Sequence, residues 1–266
     1  MKYLKFLVAA LLLTSCTTHY QLVGIERTRM LIDKRYDAQP DAKALSFVAP
    51  YQHEVDSIMS PVVGRAAKYM SANKPESALS NLLADILVWG GKPFGEKPDL
   101  SVYNVGGIRA ALAEGTVTYG NVVDVAPFEN KICFLTLTGD KLMELFAQIA
   151  SRGGEGVSRG VQMRISNGKL LSATLNGKPI NPNESYRIAT LDYLAQGNDG
   201  LLAFKDGTNV LSPKTEENNV RFVIMNYIRA EAAEGRAVSA EVEGRIISES
   251  NTSDIPLGKL KLEMKN

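Results

Sequence analysis

The sequence predicts an α+β domain in which a mixed β-sheet is flanked by helices. Three observations lead there. Apolar residues recur at helical spacing in four stretches, and short β-rich runs recur between them. The two kinds intermingle without the strand–helix–strand alternation of a parallel sheet. No internal repeat or low-complexity segment interrupts the pattern.

Taken in order, residues 21–32 read as a first strand. Leu45, Val48, Val55, Ile58 and Met59 then mark a helix over residues 41–59, with Pro50 as an expected kink. Leu79, Leu82, Leu83, Ile86 and Leu87 form one stripe, which predicts a helix over 77–89 ended by Gly90-Gly91. Residues 99–104 read as a strand running into Gly106-Gly107. A strand over 132–138 leads into a helix over 140–150. Three further strands are expected at 161–165, 170–175 and 186–190, with Asn176-Gly177 as a turn between two of them. A last long helix covers 220–233, and 245–248 is a closing strand.

The N-terminus has its own chemistry. Lys2 and Lys5 precede a continuous apolar run over residues 6–13, too short for a permanent span, which takes about 20 apolar residues. It reads as a secretory signal ending in Leu13-Thr14-Ser15-Cys16, which looks like a bacterial lipobox. The division expected is a signal peptide over 1–15, a lipid-anchored tether and first strand over 16–40, and the folded domain over 41–266. Cys16 would carry the lipid; an ordinary signal with an incidental cysteine is the alternative. No aspartate follows Cys16, so the expected location is the bacterial outer membrane, facing the periplasm.

Charge and composition exclude several functions. Thirty basic and twenty-nine acidic side chains give +1, without the basic excess of a general nucleic-acid binder. Hydrophobic residues at 45% and charged residues at 22% are ordinary globular values. With Cys16 lipidated, only Cys133 remains, in a strand-like run where it reads as a small buried hydrophobe. The two histidines, His19 and His53, stand in no ligand-clustering spacing, so neither a di-metal site nor a nucleophile–His–acid triad can be assembled. No catalytic residue and no cofactor is therefore expected in this chain.

Three segments have the chemistry of a binding site. Asn104-Val105-Gly106-Gly107-Ile108-Arg109 combines glycines at a strand end, which let backbone approach a ligand and permit positive φ, with an amide and a planar guanidinium. The plain alternative is a glycine turn with a surface arginine. In Ala126-Pro127-Phe128-Glu129-Asn130 a loop aromatic can stack on a base, or plug the core beneath the loop. In the loop over 192–200, Tyr193 precedes Asp199, which can accept from two ribose hydroxyls or stabilise its own turn.

Together and in this order, the segments resemble the C-terminal domain of the 5′-nucleotidase family, from about Met70 to Ile247 and including residues 76–85, residues 139–145 and Gly153-Gly154. The resemblance implies that Phe128 and Tyr193 are two stacking rings, Tyr193 standing where phenylalanine is usual. Tyrosine keeps the π-face, so stacking should survive the exchange. It implies that Asp199 receives the ribose hydroxyls, that Asn104 and Arg109 lie near the nucleotide, and that Gly153 and Gly154 line the base. A family arginine falls on Asn73; Lys74 beside it could supply a point charge but not a bidentate fork. In such enzymes an N-terminal metallophosphoesterase domain holds two metal ions and performs hydrolysis. The expected partner is accordingly a separate metallophosphatase chain bearing divalent metals, beside a nucleoside or nucleotide ligand. The alternatives are a stand-alone nucleotide-binding lipoprotein and an interaction domain without ligand.

Overall fold

The computed structural model describes residues 24–249, apart from 32, 37 and 39. The residues of the expected signal sequence, Cys16 and His19 lie outside the described residues. The chain divides between residues 50 and 51 into two compact units. In the first, residues 24–31 are exposed and form no regular structure, and Lys34–Tyr36 make one 3-10 turn. The strand expected there is not formed over its described part. Its mixed apolar and polar run had the right composition, but a strand also needs a partner for its backbone groups.

Helix α1 (Ala42–Met59) begins in the first unit and ends in the second. The Asp41 carboxylate accepts from the backbone of Lys43 and Ala44, at 2.8 and 3.0 Å, and so caps the first turn. Pro50 lies inside the helix, and none of its residues is buried.

The second unit is built on a mixed five-stranded sheet. Its strands are β2 (Leu100–Tyr103), β4 (Ile132–Thr138), β5 (Gly156–Val157), β9 (Ser185–Leu191) and β10 (Thr208–Leu211), in the spatial order β10-β4-β9-β2-β5. Strand β9 runs parallel to β2 and antiparallel to β4. A second sheet has the order β11-β6-β7-β8, from β6 (Val161–Ser166), β7 (Lys169–Leu175), β8 (Lys178–Pro179) and β11 (Ile246–Ser248). A two-stranded ribbon pairs β1 (Val62–Ala66) with β3 (Gly115–Thr118).

Helices cover these sheets through the stripes visible in sequence. Helix α2 (Ala78–Trp89) packs on β2 and β5 and buries Leu79, Leu83, Ile86 and Leu87 completely. Helix α4 (Gly139–Ser151) buries Leu142, Leu145, Phe146 and Ile149, each contributing about 1.5–3 kcal/mol by removal from water. Helix α6 (Val220–Ala233) packs on α2 and β1 through Val223, Ile224 and Ile228. Short helices α3 (Tyr119–Val125) and α5 (Asp192–Ala195) complete the unit. Ser77 caps α2 in a reciprocal pair with Ser80.

Gly90 does end α2, but with φ −64° it is right-handed. Its value is space: a Cβ there would meet Val223 Cγ1 at 2.7 Å and Ile132 Cδ1 at 2.9 Å. Asn176 and Gly177 both take positive φ, as a two-residue hairpin turn requires. That turn leads only to the two-residue β8, while the strand over 186–190 leaves for the centre of the other sheet. Cys133 is buried in β4 as expected, and burial pushes its thiol pKa up.

Candidate functional site

Strand direction brings the three segments together. Strands β2 and β9 are parallel, so their C-terminal ends, at Tyr103 and Leu191, emerge at one edge of the sheet. Strand β4 is antiparallel to β9, and its first residue, Ile132, lies opposite Leu191. The segments 104–109, 126–131 and 192–200 therefore meet at that edge. A fourth is added by β5, since Gly156 pairs with Tyr103 and places residues 152–155 alongside.

A cavity of about 340 Å³ opens there, lined by Asn104, Gly106, Gly107, Arg109, Phe128, Asn130, Arg152, Tyr193 and Asp199. Seven of the nine residues singled out in sequence stand on its wall. Gly153 and Gly154 do not. Gly154, at φ 112°, allows the chain to pass against the Pro75 backbone, where any side chain would collide. Gly106 and Gly107 form a 3-10 turn without positive φ, contrary to the freedom expected of them. Gly107 is required because a Cβ would approach the Asn104 Oδ1 to 2.7 Å.

Asp199 is the centre of the polar wall. Its Oδ2 accepts from Asn104 Nδ2 at 2.7 Å, and its Oδ1 accepts from the Tyr193 hydroxyl at 3.1 Å. Arg152 brings a guanidinium nitrogen to 3.7 Å from Oδ2. By accepting a hydrogen bond from that hydroxyl, Asp199 holds the Tyr193 phenol pKa above its usual value, and burial adds to the effect. Asp199 itself has φ 56°, in the left-handed region that aspartate tolerates better than most residues. Asn104 is 5% exposed, and its Oδ1 is a buried acceptor without a partner.

Beneath this wall lies Glu155, whose side chain is fully buried. It accepts from the Val105 N–H at 2.6 Å, from Arg152 Nε at 2.7 Å and from Lys74 Nζ at 3.0 Å. Lys74 also donates to the Arg152 carbonyl at 2.9 Å. The lysine considered as a stand-in for a ligand-facing arginine is thus engaged below the site and is not on the cavity wall. Asn73 donates to Ser71 Oγ at 3.2 Å.

The opposite side is apolar and open. Phe128 is 48% and Tyr193 37% exposed. The Arg109 guanidinium lies 5.9 Å from the Phe128 ring centroid and donates to the Gly106 carbonyl at 3.2 Å. Sequence reasoning passed over Asn130, although it closes the Phe128 segment, and Arg152, which sits directly before Gly153-Gly154. A cation next to two glycines at a helix end was the available signal for Arg152. Among the described residues, no group of three or more His, Cys, Asp or Glu is placed to hold a metal ion. None of their helices is long and apolar enough to cross a membrane.

The fold and this wall can be set beside known proteins. The family model for the 5′-nucleotidase C-terminal domain matches residues 62–206, more than half of the chain. The chain belongs to the 5′-nucleotidase C-terminal domain family. It is similar to the 5′-nucleotidase of Vibrio vulnificus (strain CMCP6), at 25% identity over 168 residues, covering 62% of this chain and 30% of that protein. The protein UshA of Escherichia coli (strain K12) is 24% identical over 160 residues, covering 59% and 29%. The trifunctional nucleotide phosphoesterase protein YfkN of Bacillus subtilis (strain 168) is 26% identical over 240 residues, covering 81% of this chain and 16% of its own length. The chain therefore spans less than a third of the length of these relatives. Among solved structures, the 5′-nucleotidase precursor from Thermus thermophilus superposes with a TM-score of 0.67 at 23% identity, over 77% of this chain and 43% of that one. The family match ends at residue 206, so β10, α6 and β11 lie beyond it.

Proposed function

We propose that this chain is the nucleotide- or nucleoside-recognition part of a 5′-nucleotidase-like system and works with a separate metallophosphatase chain. The observation that carries the reading is the convergence of Phe128, Tyr193, Asn104, Arg109 and Asp199 on one cavity from separate strand ends. The rings offer stacking faces, each worth about 1–3 kcal/mol for a base in nucleic-acid systems. Asp199 offers a carboxylate with acceptor capacity for adjacent hydroxyls, and Arg109 a fork suited to phosphate.

In this reading the chain binds and presents, and its own residues perform no hydrolysis. Divalent metals belong to the catalytic partner. A lipid on Cys16 would hold the recognition domain at the envelope membrane, on the periplasmic side.

The test is calorimetric titration of the purified full-length protein with adenosine, AMP and UDP-glucose in the absence of metal. Saturable binding of at least one supports the reading. Absence of binding to all three, with the partner phosphatase present as well as absent, refutes it. Binding unaffected by any partner, with no phosphatase recovered alongside the protein, would favour a stand-alone binding lipoprotein.

A further inference from the structure

The aromatic and polar walls of the cavity are joined at one point. The Tyr193 hydroxyl, at the tip of the ring, donates to Asp199 Oδ1 at 3.1 Å. Asn198, next to Asp199, donates through Nδ2 to the Tyr193 carbonyl at 2.8 Å, so the loop between Tyr193 and Asp199 is closed twice. On its other oxygen Asp199 is held by Asn104 Nδ2 at 2.7 Å. The carboxylate is thus gripped from two sides although its backbone stands at φ 56° and its side chain is 22% exposed. A phenylalanine at position 193 would keep the ring and lose one of these grips.

We propose that Tyr193 is a specificity-determining residue whose hydroxyl fixes Asp199 for vicinal-diol recognition, making the site selective for ribosides over deoxyribosides. This rests on the reading of the cavity as a nucleoside site. A carboxylate has about four acceptor positions, so Asn104 and Tyr193 leave one on each oxygen for the two hydroxyls of a ribose. Because the donors hold both oxygens before the ligand arrives, the ordering cost of orienting the carboxylate is already met. Removing the tyrosine hydroxyl frees Oδ1 to turn away from the diol, while leaving the ring face for the base.

The experiment is titration of wild type, Tyr193→Phe, Asp199→Asn and the double variant with adenosine and with 2′,3′-dideoxyadenosine. Tyr193→Phe should weaken adenosine about tenfold, the scale of one hydrogen bond to a charged group, and change dideoxyadenosine less than about twofold. In the Asp199→Asn background the same substitution should leave the adenosine-to-dideoxyadenosine ratio unchanged, as coupling through Asp199 requires. A ratio in Tyr193→Phe equal to or above that of wild type overturns the inference while leaving nucleoside binding intact. Equal losses for both ligands do the same, because they mean that the hydroxyl supports only the ring. If wild type binds neither ligand, with the partner phosphatase present as well as absent, the nucleoside reading fails and takes the inference with it.

Discussion

Two charged clusters in the same unit differ in what stands beside them. The first is centred on Arg245, whose side chain is 3% exposed. It makes a bidentate pair with Asp85 at 2.8 and 2.7 Å and reaches Glu243 and the Val157 carbonyl. Glu76 ties the same strand entry by accepting from the Glu243 N–H at 2.8 Å and from Asn81 Nδ2 at 2.6 Å. The second is the Asp199 wall. There Asn104 Oδ1 is an unpartnered buried acceptor, and the two rings beside it are open. Each cluster leaves one buried amide oxygen without a partner, Asn81 Oδ1 in the first and Asn104 Oδ1 in the second, and of these two amides only Asn104 lines the cavity edged by Phe128 and Tyr193. The clusters resemble each other in composition, and the open rings beside the second separate them.

The comparison predicts that each cluster fails in its own measurement. Arg245→Met should have the largest effect, destabilising the fold by about 3 kcal/mol, because it removes the buried guanidinium that ties Asp85, Glu243 and the Val157 carbonyl together. Denaturant unfolding would read this, with nucleoside affinity of the remaining folded protein unchanged. The double variant Phe128→Ala/Tyr193→Ala should do the reverse: adenosine affinity falls about 100-fold or more while the unfolding midpoint stays near wild type. A large stability loss there would make the rings core plugs and collapse the distinction. Glu155→Gln sharpens the comparison, since this residue is as buried as Arg245 yet grips the loop carrying Asn104. It should cost about 2 kcal/mol of stability and also weaken adenosine, the one substitution to move both readouts. Ser77→Ala is the smallest case: losing the α2 cap should lower stability by about 1 kcal/mol without touching affinity.

The helical stripes, the α+β class and the three cavity segments were legible because each rests on local pattern. Leu79, Leu83 and Ile86 announce a buried face by spacing alone. Phe128 and Asp199 were visible by residue type in glycine-bearing or proline-bearing loops. What escaped depends on partners distant in sequence. Lys74 could be placed near the site but not assigned, because its partner Glu155 lies 81 residues away. The outcome for residues 24–31 turned on pairing that composition does not encode. Gly90 read correctly as a helix end for the wrong reason, since the crowding by Val223 and Ile132 exists only after folding. The link from Tyr193 to Asp199 spans only six residues, yet it requires the loop geometry to be seen.

The central claim is that the cavity edged by Phe128 and Tyr193 holds the nucleoside. Intermolecular nuclear Overhauser effects from the adenine H2 and H8 protons of bound adenosine test it directly. The account predicts contacts to the Phe128 and Tyr193 ring protons, lost when both are replaced by alanine. Contacts instead to Trp89 and Tyr227, whose rings meet edge-on 5.3 Å apart beside a separate hollow, would place the ligand elsewhere and contradict it.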